Sequence, residues 1–198
     1  MKTVDITGVI LTGGRGSRLG GRDKGLVEVA DRPLIKHVIE RFRPQVNDLF
    51  INANRNISRY RTLGYPVISD VIEGFAGPLA GIAVALEHCN SPYMAICPCD
   101  SPFLPLDLVA KLASPVMHSE TTVSVVIGDG RPQPVFALIP RKLQDSLKDY
   151  LASGGRKIMS WYRQQKLVEV DFGPDPLPFA NINSAEELAH AALGLSTS

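Results

Sequence analysis

Glycines and basic side chains crowd one short stretch near the start of the sequence. Five glycines, three arginines and a lysine lie from Gly13 to Lys24, one residue after the apolar run Val9–Leu11. Glycine lets backbone N–H groups approach an anion closely, and arginine and lysine donate charge-assisted hydrogen bonds to phosphate oxygens. The stretch therefore predicts a loop that binds a triphosphate.

Two common phosphate-binding motifs do not fit this stretch. In a Walker loop Gly16 and Gly21 would be followed by Lys and then Ser or Thr, but Arg and Asp follow them here. In a dinucleotide-binding fingerprint Gly14 and Gly16 would be followed by Gly or Ala at position 19, where Leu19 stands. A glycine-rich turn whose basic residues are merely solvated stays open as the alternative.

Polar side chains also end three later apolar runs of the sequence. These residues are Asn52, Asp70 and Asp100. Mg²⁺ takes one or two carboxylates and completes its shell with phosphate and water oxygens, so we predict Mg²⁺ as the cofactor and Asp100 as its ligand. Lys24 is predicted to neutralise the departing phosphates. Taken singly, each Asn or Asp is equally typical of a turn or a helix cap.

The elements that carry these residues alternate between strands and helices. Apolar residues at helical spacing predict helices over 34–42, 57–63 and 79–86, the last apolar on one side only. Asp31 and Pro33 predict the cap and the first turn of the first helix. Because ligands of parallel sheets bind beyond the carboxyl ends of the strands, we expect the glycine loop and the later polar residues to converge.

The pattern changes after residue 105. It predicts a helix around 106–112, then strands 122–127 and 135–139 as a hairpin or as adjacent strands. Helices over 141–151 and 157–163, a strand over 167–170, and a closing helix with Ser184 and Glu187 as its capping box are predicted to follow. We expect one domain, residues 1–198, in which 1–105 mainly bind the nucleotide and 106–198 mainly bind the acceptor. The polar candidates of the second half are Gln133, 154–157 and 181–183, each equally typical of a turn or a helix cap.

Composition excludes several classes of protein. The 198 residues are 44% apolar and 21% charged with a net charge of +1, which argues against a nucleic acid as the main partner. No apolar run is long enough to cross a membrane, and no signal-like start is present, so we expect a cytoplasmic protein. The three cysteines predict reduced, packed thiols rather than disulfides or a zinc site.

No residues in the sequence suggest a protein nucleophile. Nothing resembles a Ser/His/Asp arrangement, and none of the four histidines lies near the polar strand ends. Direct attack of the acceptor on the α-phosphate of the triphosphate fits these residues better.

Six segments together resemble a known family. They are the glycine stretch 11–25, Asn52-Ala53-Asn54-Arg55, Asp70, 77–81, 98–102 and Asn181-Ile182-Asn183. Over nearly its whole length the chain closely resembles the molybdenum cofactor guanylyltransferases. The resemblance implies a single Rossmann-like α/β nucleotidyltransferase domain, three-layer α/β/α with a mostly parallel central sheet. It also implies transfer of GMP from Mg-GTP to molybdenum-bound molybdopterin, with release of pyrophosphate.

The resemblance also implies roles for individual residues. Contacts to GTP are expected from Leu11, Thr12, Gly13, Gly14, Lys24, Asn52, Asp70 and Asp100. Catalytic roles are expected for Arg18, Lys24 and Asp100. Contacts to the acceptor are expected from Gly77, Pro78, Gly81, Arg156, Asn181 and Asn183. Thr12 departs from the alanine usual in the family, and its hydroxyl is expected either to add a hydrogen bond or to crowd the base.

Two other functions stay open on the sequence. A related nucleotidyltransferase that uses CTP, or a sugar phosphate as acceptor, would share every phosphate-handling residue. A non-catalytic nucleotide-binding regulator would keep the loop without turnover, although retention of both Lys24 and Asp100 argues against it. Besides its small-molecule substrates, we expect transient contacts with other cofactor-synthesis or acceptor proteins.

Overall fold

The computed structural model describes residues 5–13, 23–70 and 77–182, together with Glu186, Glu187, Ala189 and Leu193. The strands are β1 (Ile6–Leu11), β2 (Glu28–Val29), β3 (Arg32–Pro33), β4 (Asp48–Asn52), β5 (Val67–Ile68), β6 (Tyr93–Pro98), β7 (Thr122–Gly128), β8 (Arg131–Pro140) and β9 (Lys166–Asp171). The α-helices are α1 (Leu34–Phe42), α2 (Ile57–Arg61), α3 (Pro78–His88), α4 (Leu108–Ala113), α5 (Gln144–Ala152) and α6 (Ile158–Tyr162).

The described part of the chain forms a seven-stranded central sheet in the order β5-β4-β1-β6-β8-β7-β9. Strand β1 lies between β4 and β6 and is parallel to both, and β5 runs parallel to β4. The last residue of β1, Leu11, is paired with Asn52 on one side and Pro98 on the other. The polar strand ends therefore lie side by side at one edge of the sheet, and the predicted, mostly parallel sheet is confirmed.

Strand β8 reverses the direction of the sheet. It pairs antiparallel with β6, so that Ala137 faces Ile96 and Pro140 faces Tyr93. The first residues of β8 consequently lie at the same edge as the carboxyl end of β6. The predicted hairpin is confirmed, because β7 and β8 are antiparallel neighbours joined at Asp129-Gly130, both with positive φ, which two-residue hairpin turns require.

Helices cover both faces of the sheet, which confirms the three-layer architecture. On one face α1 and α4 pack over a core that includes Cys97 and Cys99. On the other face α3, α5 and α6 pack over a core that includes Cys89 and the fully buried Trp161. All three cysteines are buried and unpaired, as the sequence predicts.

Helix α3 is more deeply buried than its sequence pattern suggests. The prediction of one apolar side is wrong, since every residue from Leu79 to Leu86 is buried. The helix lies between the sheet and α5, so it has no broad solvent face. Even so, no helix among the described residues is both long and apolar enough to cross a membrane.

The prediction of a cap at Asp31 is also wrong. Ala30 and Asp31 have φ of 48° and 59° and form the turn between the two-residue strands β2 and β3, and α1 begins only at Leu34 with Pro33 as its N-cap. The hairpin is fixed to α1 by His37, whose Nε2 lies 2.9 Å from the Val29 carbonyl oxygen. Of the predicted closing helix, Glu187 is helical, whereas Ser184 lies outside the described residues.

Candidate active site

The carboxyl ends of β1 and β6 border a cavity of about 150 Å³. Its described lining comprises Leu11, Thr12, Gly13, Lys24, Pro98, Cys99, Asp100, Val135 and Asn181. Val135 is present because β8 begins at this edge, and Asn181 because Ile182 N donates a hydrogen bond to the Asp100 carbonyl oxygen over 2.9 Å. The structure thus brings together residues predicted for the nucleotide, the metal and the acceptor.

A larger cleft of about 830 Å³ lies at the opposite edge of the sheet. It is lined by residues that begin β6 and end β8, among them Tyr93 and Pro140. None of the predicted site residues lines it. Size alone would therefore point to the wrong edge, because ligands of such sheets bind beyond the carboxyl ends of the parallel strands.

Lys24 and Asp100 form an ion pair at the cavity. Lys24 Nζ lies 3.1 Å from Asp100 Oδ2, and the two side chains are 22% and 11% exposed. Lys24 begins a short 3₁₀ turn, and Asp100 follows β6, whose end is held to β1 by the hydrogen bond from Cys99 N to the Leu11 carbonyl oxygen. The pair presents a cation suited to phosphate oxygens and a carboxylate suited to Mg²⁺ at one point.

Asp70 is held in a single orientation by two asparagines. Asn52 Nδ2 donates to Oδ1 over 2.8 Å, and Asn54 Nδ2 donates to Oδ2 over 2.7 Å. The Asp70 backbone N–H in turn donates to Asn54 Oδ1 over 2.8 Å. The sequence analysis includes Asn54 in a segment that resembles the family but gives it no role in the site, although its position two residues after Asn52 could have indicated a second amide at the same strand end.

Gly81 lies beneath Asn52 rather than on an open surface. Asn52 is 3% exposed, and a Cβ built on Gly81 would lie 2.9 Å from Asn52 Cγ and closer still to its Oδ1. Only a residue without a side chain leaves room for the amide that orients Asp70. The described contacts of Gly81 are therefore on the nucleotide side, while its expected contact with the acceptor stays a prediction.

The Thr12 hydroxyl is engaged within the protein. Thr12 N and Oγ1 both donate to the Asn52 carbonyl oxygen, over 3.0 and 2.8 Å. Of the two expectations for this hydroxyl, the structure shows the added hydrogen bond. The next residue, Gly13, is exposed, and a Cβ built on it would meet no described atom within 4 Å.

Two groups of predicted acceptor residues lie around the same edge. Gly77 has φ of 60° and ψ of −149°, a conformation suited to glycine, and it caps α3, which begins with Pro78. Asn181 Oδ1 accepts a hydrogen bond from Ser101 Oγ over 2.9 Å. Ser101 is fully buried and was missed, although its position directly after Asp100 could have indicated a supporting role.

Arg156 contacts the end of helix α5. Its Nη1 donates to the carbonyl oxygens of Leu151 and Gly155 over 2.9 and 2.7 Å. An arginine there adds a cationic donor at the carboxyl end of the helix, where the helix dipole favours positive charge. Its contact with the acceptor stays a prediction. Three further predicted residues, Gly14, Arg18 and Asn183, lie outside the described residues.

The described lining of the cavity carries one carboxylate, that of Asp100, rather than a metal cluster. Within the described ranges, no three side chains of His, Cys, Asp or Glu are grouped as metal ligands. A single carboxylate beside a phosphate site fits Mg²⁺, which usually arrives with phosphate and water oxygens in its shell. Burial, with the nearby Asp100 charge, raises the pKa of the Cys97 and Cys99 thiols well above their ordinary value, so neither is a ready nucleophile.

Known proteins resemble the chain in both sequence and fold. Residues 8–168 match the family model described as the MobA-like NTP transferase domain. The chain belongs to this family. It is 50% identical over 194 residues to the molybdenum cofactor guanylyltransferase of Cupriavidus taiwanensis, covering 95% of the chain and 97% of that protein. The corresponding protein of Shewanella woodyi is 45% identical over 182 residues, covering 92% and 93%.

A solved structure shows the same fold for this MobA-like chain. The molybdopterin-guanine dinucleotide biosynthesis protein A of Archaeoglobus fulgidus superposes with a TM-score of 0.79 at 24% identity, covering 97% of the chain and 100% of that protein. The family predicted from the sequence is confirmed, and the MobA-like chain is a nucleotidyltransferase.

Proposed function

We propose that the protein transfers GMP from Mg-GTP to molybdenum-bound molybdopterin, forming the molybdopterin guanine dinucleotide cofactor and pyrophosphate. The observation that carries the proposal is the Lys24–Asp100 pair, 3.1 Å apart in the cavity that Gly13 also lines, in a chain that is 50% identical to a molybdenum cofactor guanylyltransferase. A cation and a carboxylate at the end of a parallel sheet are what a metal–triphosphate complex requires.

The nucleoside is proposed to bind along the ends of β1, β4 and β5. Leu11, Thr12 and Gly13 line the cavity, and their backbone groups are proposed to contact GTP. The Asp70 carboxylate is an acceptor, so it suits the hydroxyl or N–H donors of the nucleoside, and Asn52 holds it in place. Gly14 and Arg18 are proposed to complete the phosphate loop.

The transfer is proposed to be a single displacement. An oxygen of the acceptor attacks the α-phosphorus of GTP, the bond to the bridging oxygen of the β-phosphate breaks, and pyrophosphate leaves with that oxygen. Lys24 donates hydrogen bonds to the phosphates as negative charge develops on the leaving group. Asp100 would hold Mg²⁺, which when bound neutralises phosphate charge as a Lewis acid.

The acceptor is proposed to bind mainly through residues 106–198. Asn181 lines the cavity, and we place Arg156, Gly77 and Pro78 around the acceptor together with Asn183. A contact of Gly81 with the acceptor is also proposed, in addition to its packing against Asn52 on the nucleotide side. We also propose transient contacts with proteins that deliver or receive the cofactor. Buried thiols without disulfides suit a reducing compartment, which agrees with a cytoplasmic enzyme.

The proposal is tested by measuring pyrophosphate release. Purified protein is incubated with Mg²⁺, molybdenum-loaded molybdopterin and each nucleoside triphosphate in turn. We expect release only with GTP, dependent on the acceptor, and a guanine dinucleotide as the product. Release with CTP, or with a sugar phosphate in place of the pterin, would indicate the related transferase, and no release under any condition would indicate a regulator.

A further inference from the structure

The residue before Lys24 is tied to the segment around helix α2. Tyr60 Oη donates to Asp23 Oδ1 over 2.5 Å, and Asn56 Nδ2 donates to Asp23 Oδ2 over 3.0 Å. A hydrogen bond from a hydroxyl to a carboxylate is charge-assisted and is stronger than one between neutral groups. Each oxygen of the Asp23 carboxylate thus accepts a hydrogen bond from the segment around α2.

Tyr60 is suited to act as a permanent donor. Its side chain is fully buried. Burial raises the pKa of its phenol far above the ordinary value, and the nearby Cys99 and Asp23 act in the same direction. The hydroxyl therefore keeps its proton and can donate to Asp23.

The residue after Lys24 rests on the same tyrosine. A Cβ built on Gly25 would lie 2.7 Å from Tyr60 Oη and 3.2 Å from Cys99 Sγ, so only glycine fits there. The Leu26 N–H donates to the Asp23 carbonyl oxygen over 3.0 Å and closes the turn that carries Lys24. Both chain neighbours of Lys24 are therefore fixed against Tyr60.

The second donor is held in an uncommon backbone conformation. Asn56 precedes α2 with φ of 50° and ψ of 32°, in the left-handed region that asparagine tolerates better than most residues. Backbone strain of this kind is found where the surrounding structure fixes a functional geometry. Here the strained residue supplies a hydrogen bond to Asp23.

We propose that Tyr60 is a positioning residue for triphosphate binding. Together with Asn56 it holds Asp23, and with Gly25 it holds the following turn, so that the Lys24 ammonium stays beside Asp100 and faces the phosphates. This inference rests on the proposed function, since it takes Lys24 as the phosphate ligand. Tyr60 acts through Lys24 and does not itself touch the substrate.

The test compares binding of GTP and guanosine by calorimetry in the full-length protein. Tyr60→Phe keeps the ring and removes the hydroxyl. We expect about tenfold weaker binding of GTP, the size of one lost charge-assisted hydrogen bond, and guanosine binding within about twofold of wild type. Equal losses for the two ligands, or none for GTP, would overturn the inference.

A double-mutant cycle with Lys24→Ala asks whether Tyr60 acts through the lysine. In the Lys24→Ala background we expect Tyr60→Phe to change GTP affinity by less than about twofold, because the group that it positions is gone. If the two losses simply multiply, Tyr60 does not act through Lys24. Formation of the dinucleotide is measured separately. If the wild-type protein binds GTP but forms no dinucleotide, the proposed function is refuted, while the double-mutant cycle still tests the role of Tyr60 through GTP affinity.

Two further variants keep the test decisive. Tyr93→Phe is the matched control, because Tyr93 is also buried and donates to backbone carbonyls, but at the opposite edge of the sheet. It should leave GTP affinity unchanged. Asn56→Gly removes the exposed second donor while suiting the left-handed backbone, so it should fold even if Tyr60→Phe does not. We expect it to weaken GTP binding about threefold, and unchanged binding in this variant would contradict the proposal.

Discussion

Asp100 is the one carboxylate on the described lining of the cavity, and its charge can be removed without changing its shape. Asp100→Asn keeps the side-chain volume and forfeits the charge that would hold Mg²⁺. We expect turnover to fall at least about a hundredfold, in line with several kcal/mol from metal catalysis. Pyrophosphate release measures this effect, and thermal unfolding checks that the fold is intact.

The control for this variant is Asp107→Asn. Asp107 is half exposed and pairs with Lys111 on α4, away from the cavity lining, so its loss should leave turnover unchanged. Asp100→Asn that retained turnover within about threefold of wild type would show that Asp100 does not hold the metal.

Substitution of Gly13 tests how the protein selects the base of the nucleotide. A Cβ there meets no described atom within 4 Å, so Gly13→Ala should fold normally and affect mainly a ligand that approaches the backbone. Guanine is larger than cytosine, so we expect GTP use to fall relative to CTP use. A single methyl group shifts such discrimination by about 1–3 kcal/mol. Competition between equal GTP and CTP measures it, and an unchanged product ratio would place base recognition elsewhere.

At the scale of elements, helix α3 and strand β4 are matched through Gly81 and Asn52. Alanine normally stabilises a helix by about 1 kcal/mol relative to glycine. At Gly81 the new Cβ would collide with an amide that is tied to Asp70, so we expect Gly81→Ala to destabilise the protein by about 1–3 kcal/mol and to weaken nucleotide binding. Urea unfolding and GTP calorimetry provide the two measurements.

A second substitution tests whether the collision with Asn52 causes the destabilisation expected for Gly81→Ala. In Asn52→Ala the amide is absent, so adding Gly81→Ala should cost little or even stabilise the helix. Nucleotide binding should stay weak in the double variant, because Asp70 has lost its donor. If Gly81→Ala destabilised both backgrounds equally, the collision with Asn52 would not be its cause.

The sequence predicted the existence of the helices and strands better than the residues at which they begin and end. The strands followed from short apolar runs with polar ends, and α1 from apolar residues at helical spacing. The β2–β3 hairpin could not be foreseen, because two-residue strands carry no periodicity and the hydrogen bond from His37 to Val29 depends on how α1 packs. Likewise, Asp31 looks like a cap until the positive φ of the turn is known.

For the site, the sequence supplied residue types and the fold supplied partners. Asp70 and Asp100 were found because each follows a strand whose carboxyl end must face the ligand. Asn54 and Tyr60 were missed because their partners, Asp70 and Asp23, lie far away in sequence. A buried tyrosine in a short helix reads as core unless the group that its hydroxyl meets is known.

At the scale of the whole molecule, strand β6 joins the two halves of the chain. It is parallel to β1, from the first half of the chain, and antiparallel to β8, from the second half. This junction places Val135 from the second half on the lining of the cavity that holds Lys24 and Asp100. The proposed donor and acceptor sites therefore meet on one continuous sheet, with no need for a hinge between separate domains.

The same strand also connects the two cores. Met94 and Ile96 point into the core beneath α3, and Ala95 and Cys97 point into the core beneath α1. Because one strand contributes to both layers, we expect the layers to unfold together. Each core contains a buried thiol: Cys89 lies in the core beneath α3, and Cys97 lies in the core beneath α1.

The reactivity of Cys89 and Cys97 can report whether the two cores unfold cooperatively. Burial raises the pKa of Cys89 as well as that of Cys97, so both should resist alkylation in the native protein. In rising urea, we expect iodoacetamide to label both at the same midpoint, read by mass spectrometry of peptides. Urea unfolding of the Cys89→Ala variant, followed by circular dichroism, checks that alkylation of Cys89 does not itself cause unfolding. Separate midpoints would show that one layer can melt while the other holds.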